Sequence, residues 1–181
     1  MIKIFNHARF IGHFTAILLY FLMVSQSAFA GEMPDKACTN GAIPAFTDYA
    51  VKAQKDLVRP KLKLNNNFSR MFKTRLRKGM QENPVDFAGH YVIVTFGCGN
   101  GCLYGGYIDA ETGQAMEIPF SVSPPGLFRE PDPIEHKANS RLLIVRGNLN
   151  EADGPAMKYF FSLQGSKIKP ICYAPLDTKI P

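Results

Sequence analysis

Tryptophan is absent from this 181-residue chain, and histidine and cysteine occur only four times each. Long apolar runs are missing too. The strongest stretch, Phe14–Val24, is eleven residues long, about half of what a bilayer-spanning helix requires, so a polytopic membrane protein is excluded. Internal repeats and low-complexity blocks are lacking, and no glycine-rich loop sits between a strand and a helix pattern where it would cradle a phosphate. With 46% apolar and 20% charged residues, the composition excludes collagen-like and largely disordered classes. What remains is a chain long enough to bury a core in one domain.

The first thirty residues read as an export leader. Lys3 and Arg9 supply a positive start, Phe14–Val24 the apolar middle, and Ser25–Ala30 ends in small residues, with Ala28 and Ala30 at the positions a signal peptidase reads. Residues 1–30 are therefore expected to be a cleaved signal peptide, and residues 31–181 a single domain in the periplasm or outside the cell. Pro34–Ala37 ahead of Cys38 is no lipid-attachment motif. All four cysteines lie beyond the leader, an even number for an oxidising compartment. Of the three pairings open to them, the favoured one joins Cys98 to Cys102, which are nearly adjacent, and Cys38 to Cys172, tying the two ends together.

Two helices are expected near the start of the domain. Over 44–58, Phe46, Ala50, Ala53 and Leu57 fall on one helical face, and Arg59-Pro60 ends the pattern. Asn65–Asn67 offers N-caps for a second helix of about twelve residues. Its stripe is Phe68, Phe72, Leu76 and Met80 with Met71 beside it, and its end is set by Gly79 and Pro84.

From Phe87 the period falls to two. In His90–Gly97, Val92, Val94 and Phe96 share one face and Tyr91, Ile93 and Thr95 the other, the mark of a central strand covered on both sides. Return strands follow at 103–110, at Met116–Ile118, over 141–148 and 157–163, and through Ile168 and Ile171, separated by short turns. The fold class expected is α+β: two N-terminal helices on an antiparallel meander of five to six strands, stabilised by disulfides. Pro119–Ser140, with five prolines, is the long exception. It reads as a candidate functional surface or as a structural crossover.

Phe87-Ala88-Gly89-His90-Tyr91, the Gly97–Cys102 run (GCGNGC) and the Ile108–Gly113 turn (IDAETG) belong together. With the basic stretch Arg75–Met80 upstream, this segment resembles a family of small exported bacterial proteins with an FAGHY…GCGxGC signature. The likeness covers roughly residues 70–120, with Phe96 standing where many members carry tryptophan. It implies export and a single fold unit, and it lends no catalytic residue.

Three functional readings follow. In the leading one, the Cys98–Cys102 hairpin tip presents Gly99, Asn100 and Gly101 as a rigid loop to a partner in the envelope or outside the cell. The glycines permit positive φ and leave backbone N–H groups uncovered, a nest for an anion or a carbonyl; the plainer alternative is a stapled turn without a ligand. The second reading rests on charge. Arg59, Lys61, Lys63, Arg70, Lys73, Arg75, Arg77 and Lys78 place eight cations between 59 and 78 with no acid among them. Without Lys3 and Arg9 the chain holds 19 basic and 15 acidic residues, or +4; without the eight it holds 11 against 15, or −4. A helix carrying Arg70, Lys73, Arg77 and Lys78 would suit anionic lipid or lipopolysaccharide, and export argues against nucleic acid. The third reading is a small hydrolase built on His90 with Asp109 across the hairpin, although His90 reads more simply as a strand-end residue. His136, between Glu135 and Lys137, reads as solvated. With the cysteines paired and two histidines left, no zinc-ligand set assembles from the sequence, and no cofactor or metal is expected.

Overall fold

Every main strand of the structure, a computed structural model describing residues 32–39, 42–54, 56–99, 101–126 and 132–180, runs antiparallel to its neighbours. Helix α1 (Asn67–Met71) and helix α2 (Lys73–Glu82) precede eight strands: β1 (Tyr91–Gly99), β2 (Cys102–Asp109), β3 (Ala115–Glu117), β4 (Val122–Ser123), β5 (Ile134–Lys137), β6 (Ser140–Leu149), β7 (Met157–Gln164) and β8 (Lys167–Pro175). The strand order is β1-β2-β4-β6-β7-β8, with β3 on β2 and β5 on β6. This is an α+β fold with two helices and more strands than expected. The two unforeseen strands, β4 and β5, come from the proline-rich segment, which serves in part as the crossover between the halves of the sheet. Residues 1–30 and Asn100 lie outside the described residues.

The alternating pattern of β1 divides its side chains between two cores. Val92, Val94 and Phe96 pack with Phe68, Leu76 and Met80 of the helices. Tyr91 and Ile93 enter a second cluster with Leu143, Val145, Phe161 and Ile168 from the far half of the sheet. The sheet therefore curls on itself, and the Tyr107 hydroxyl donates to the Ser166 carbonyl at 2.9 Å, linking β2 to the β7–β8 turn. Thr95 is exposed, so that face of β1 is covered only at its first two positions.

Asn66 caps α1 as its side chain suggests: it accepts from the Ser69 amide at 2.7 Å, satisfying one orphan N–H of the first turn. The single expected helix is broken at Phe72, whose φ of −103° and ψ of 22° leave the helical region. The break turns Met71 outward to 73% exposure, while Leu76 and Met80 remain buried. Gly79 faces Val94, and a Cβ there would collide with the valine methyl groups. Gly79→Ala is expected to lower unfolding stability by about 1–3 kcal/mol through overpacking, against the gain in helix propensity. An unchanged urea midpoint would show that α2 does not rest on Val94.

The expected helix over 44–58 does not form. Phe46–Tyr49 makes one 3₁₀ turn, Ala50 is extended, and no helix follows over the described residues up to Val58. Long-range backbone bonds outcompete the helical pattern: the Val51 amide donates to the Asn139 carbonyl at 2.9 Å, and that of Gln54 to Gly89 at 2.8 Å. Ser140, fully buried, donates its hydroxyl to the Phe46 carbonyl at 2.8 Å.

Candidate functional site

The hairpin tip is stapled as expected. Cys98 and Cys102 are bonded with Cα atoms 5.4 Å apart, and Cys38 is bonded to Cys172 with Cα atoms 5.0 Å apart. Both bonds fit an oxidising, exported environment. Gly99 and Gly101 have φ of 141° and 74°, and a Cβ on either would meet nothing within 4 Å. The tip projects, then, and its backbone requires glycine at two positions.

The basic segment lies beside this hairpin. Arg75 extends over the Phe96 ring, 4.9 Å from its centroid, and Phe72 packs 4.6 Å from the same ring. Phe96 is two residues from Cys98, so the helix contacts β1 close to its stapled end. Arg70, Lys73, Arg75, Arg77 and Lys78 are exposed, as are Lys61 and Lys63. Among the described residues only Lys78 of the eight cations has a carboxylate partner, Glu82 at 3.8 Å, and both members are largely exposed. Val58 and Met71, at 95% and 73% exposure, are the exposed large apolar side chains of the described chain, and both belong to this region.

Arg59 is held differently from the other cations. One guanidinium nitrogen donates to the carbonyls of Met80 and Asn83, each at 2.6 Å, at the C-terminal end of α2. Those carbonyls lack intrahelical donors, and a cation complements the negative end of the helix dipole. The contact lays Arg59–Leu62 alongside α2. Arg59, Pro60, Lys61, Leu62, Arg77, Met80 and Gln81 line the open groove of about 660 Å³ between them.

His90 lies at the base of the hairpin. Its Nε2 is 4.0 Å from an Asp109 carboxylate oxygen and 3.8 Å from one of Glu111. Ligand atoms of the three residues fall within 4.8 Å of one another, a set able to hold a divalent cation. Counting cysteines and histidines along the sequence could not reveal it, because two of its members are carboxylates. Asp109 accepts from the Glu111 and Thr112 amides at 2.8 and 3.1 Å, and Glu111 from Gln54 at 2.6 Å. His90 lines neither the groove beside α2 nor the shallow hollow formed by Phe46, Asp132, Ile134, Glu135, His136 and Lys137.

His136 is not solvated. Its Nε2 faces an Asp86 carboxylate oxygen at 3.5 Å, and its Nδ1 meets the Ile134 carbonyl at 3.0 Å. Burial pulls its pKa down, but the Asp86 carboxylate, the Ile134 carbonyl and Asp132 outweigh it and leave the value above the ordinary 6.5. A folded-state pKa above the unfolded one gives stability that is fully present below the unfolded value and lost as pH rises through the folded one. Stability is thus expected to fall as pH climbs above 6.5, and His136→Gln to flatten that part of the profile. An identical slope in the variant would assign the effect to another group.

Comparisons with protein-family models, with curated proteins and with solved structures give no match, so no relative supplies a role for any of these residues. The class defined by the molecule itself is an α+β protein with two disulfides and an exposed, nearly unpaired basic face. No described helix is long and apolar enough to cross a membrane.

Proposed function

We propose that the protein is an exported binding module for anionic envelope surfaces, working through residues 59–78. The observation that carries this reading is the run of eight cations with one exposed carboxylate partner among the described residues. Folding ordinarily disperses or pairs such charge, and here the remainder of the chain beyond the leader carries −4. The exposed Val58 and Met71 beside those cations suit an interface where apolar groups leave water as cations meet headgroups.

Each cation near an anionic membrane contributes about 1 kcal/mol. Replacing Arg70, Lys73 and Lys78 together by glutamine is expected to weaken binding to phosphatidylglycerol-containing vesicles by about 3 kcal/mol, or roughly a hundredfold. Co-sedimentation of the protein recovered after export checks this, with pure phosphatidylcholine as the comparison. Binding indifferent to anionic lipid, to salt or to the three substitutions would refute the reading.

A second reading assigns the hairpin tip to a protein partner. Its support is the covalently closed turn in which a Cβ on Gly99 or Gly101 would meet nothing within 4 Å. The hydrolase reading of His90 gains no support from the groove beside α2 or the hollow around Phe46 and His136, neither of which His90 lines.

A further inference from the structure

The geometry points to the groove between Arg59–Leu62 and α2 as the seat of one phosphate headgroup of an anionic phospholipid, with Val58 entering the membrane interface beside it. The proposal rests on the surface-binding reading above and goes further by naming the pocket, the ligand chemistry and the residue that recognises it.

Three cations from two segments converge there. Arg59 and Lys61 come from the extended chain and Arg77 from α2, eighteen positions from Arg59. None of the three has a carboxylate partner among the described residues, whereas the neighbouring Lys78 does. The site is also built rather than merely charged. Arg59 is fixed by its two bonds to the helix carbonyls, so its guanidinium stands in place before any ligand arrives. Arg77 is exposed and unattached, free to turn its planar fork onto phosphate oxygens in a two-point contact that an ammonium cannot copy.

The groove is not uniformly polar. Pro60, Leu62 and Met80 contribute apolar walls, matching the glycerol and first methylenes below a headgroup better than they match a free, fully hydrated ion. Val58 directly precedes Arg59, a residue of the groove wall, and is 95% exposed. Charge complementarity selects an anion, and the apolar walls with Val58 select one embedded in a lipid surface.

A charge-conserving substitution separates this pocket from diffuse attraction. Arg77→Lys keeps the charge and removes the fork. It is expected to weaken binding to phosphatidylglycerol-containing vesicles at least about tenfold, while Arg141→Lys, exposed on β6 and outside the basic face, changes it by less than about twofold. Val58→Ser is expected to lower binding to the same vesicles with the salt dependence unchanged. Titration of the soluble protein with inorganic phosphate tests the source of the anion. Equal vesicle binding by Arg77→Lys and the parent overturns the groove and leaves the surface reading standing. Failure of the parent to bind anionic vesicles overturns both. Tight binding of free phosphate with no loss of vesicle affinity in Val58→Ser overturns the lipid assignment. Unchanged thermal unfolding of each exposed-site variant keeps these outcomes distinct from misfolding.

Discussion

Serine at both Cys38 and Cys172 is expected to lower the stability of the folded protein by about 5 kcal/mol, the entropy of closing a loop of this length in the unfolded chain. The two cysteines are 134 positions apart, so the bond restricts nearly the whole domain. Its setting adds to the loss. The Cys38 amide donates to Tyr173 at 2.8 Å, and the Tyr173 amide to Lys36 at 3.0 Å. This lays residues 36–38, the lead-in to the domain, parallel to β8, over a cluster formed by Leu142, Ile144 and Phe160 with Phe46 and Tyr49 packed against it. Without the bond, the lead-in is held by those few contacts alone. The corresponding change at Cys98 and Cys102, four positions apart, removes a short loop worth about 2 kcal/mol. Urea denaturation under non-reducing conditions compares the two directly. In melting temperature the long-loop variant is expected to drop by about 10–20 °C. Equal losses in the two variants would refute the loop-length account.

Truncation of Phe161 to alanine is expected to cost about 4 kcal/mol. Phe161 is fully buried, and its ring stacks on Phe120 at 4.6 Å and 25°. Phe120 comes from the connection between β3 and β4 and Phe161 from β7, so the pair spans the region where the sheet curls over its inner core. That core takes side chains from β1, β2, β5, β6, β7 and β8 at once, and no single neighbour can move in to fill a phenyl-sized void. Phe161→Leu restores most of the volume and is expected to cost about 1.5 kcal/mol or less. A small loss in the alanine variant, or no rescue by leucine, would show that the two halves of the sheet do not share one packed interior. Both stability experiments leave the basic face chemically untouched, so a change in vesicle binding at temperatures where these variants remain folded would show that the face depends on the packing behind it.

The binding surface itself draws on both kinds of order. Helix α2 presents its cations because Leu76, Gly79 and Met80 are turned into the sheet. Arg77 and Lys78 are carried outward by the same helical turn that buries those three. Removing the apolar stripe would therefore scatter the charges as well as destabilise the fold.

By itself the sequence determined the features set by neighbours within a few positions. The two-residue alternation of Tyr91–Phe96 sorted its buried side chains onto two faces, the Asn65–Asn67 run marked the start of the helical pair, and the stripe ending at Met80 located its buried side. Both disulfides were legible too, from the nearness of Cys98 to Cys102 and the terminal placement of Cys38 and Cys172. The eight cations needed only counting. Tertiary structure alone decided what depends on partners distant in the chain. The 44–58 segment has a helical face, but its amides bond to Asn139 and Gly89, and those acceptors exist only once the sheet has formed. His136 sits between two charged neighbours in sequence, and packing places it against Asp86, fifty positions earlier. The trio of His90, Asp109 and Glu111, and the groove joining Arg59 to Arg77, arise the same way. Local pattern records which face of an element avoids water; which residues meet across the fold is settled by how those faces pack against one another.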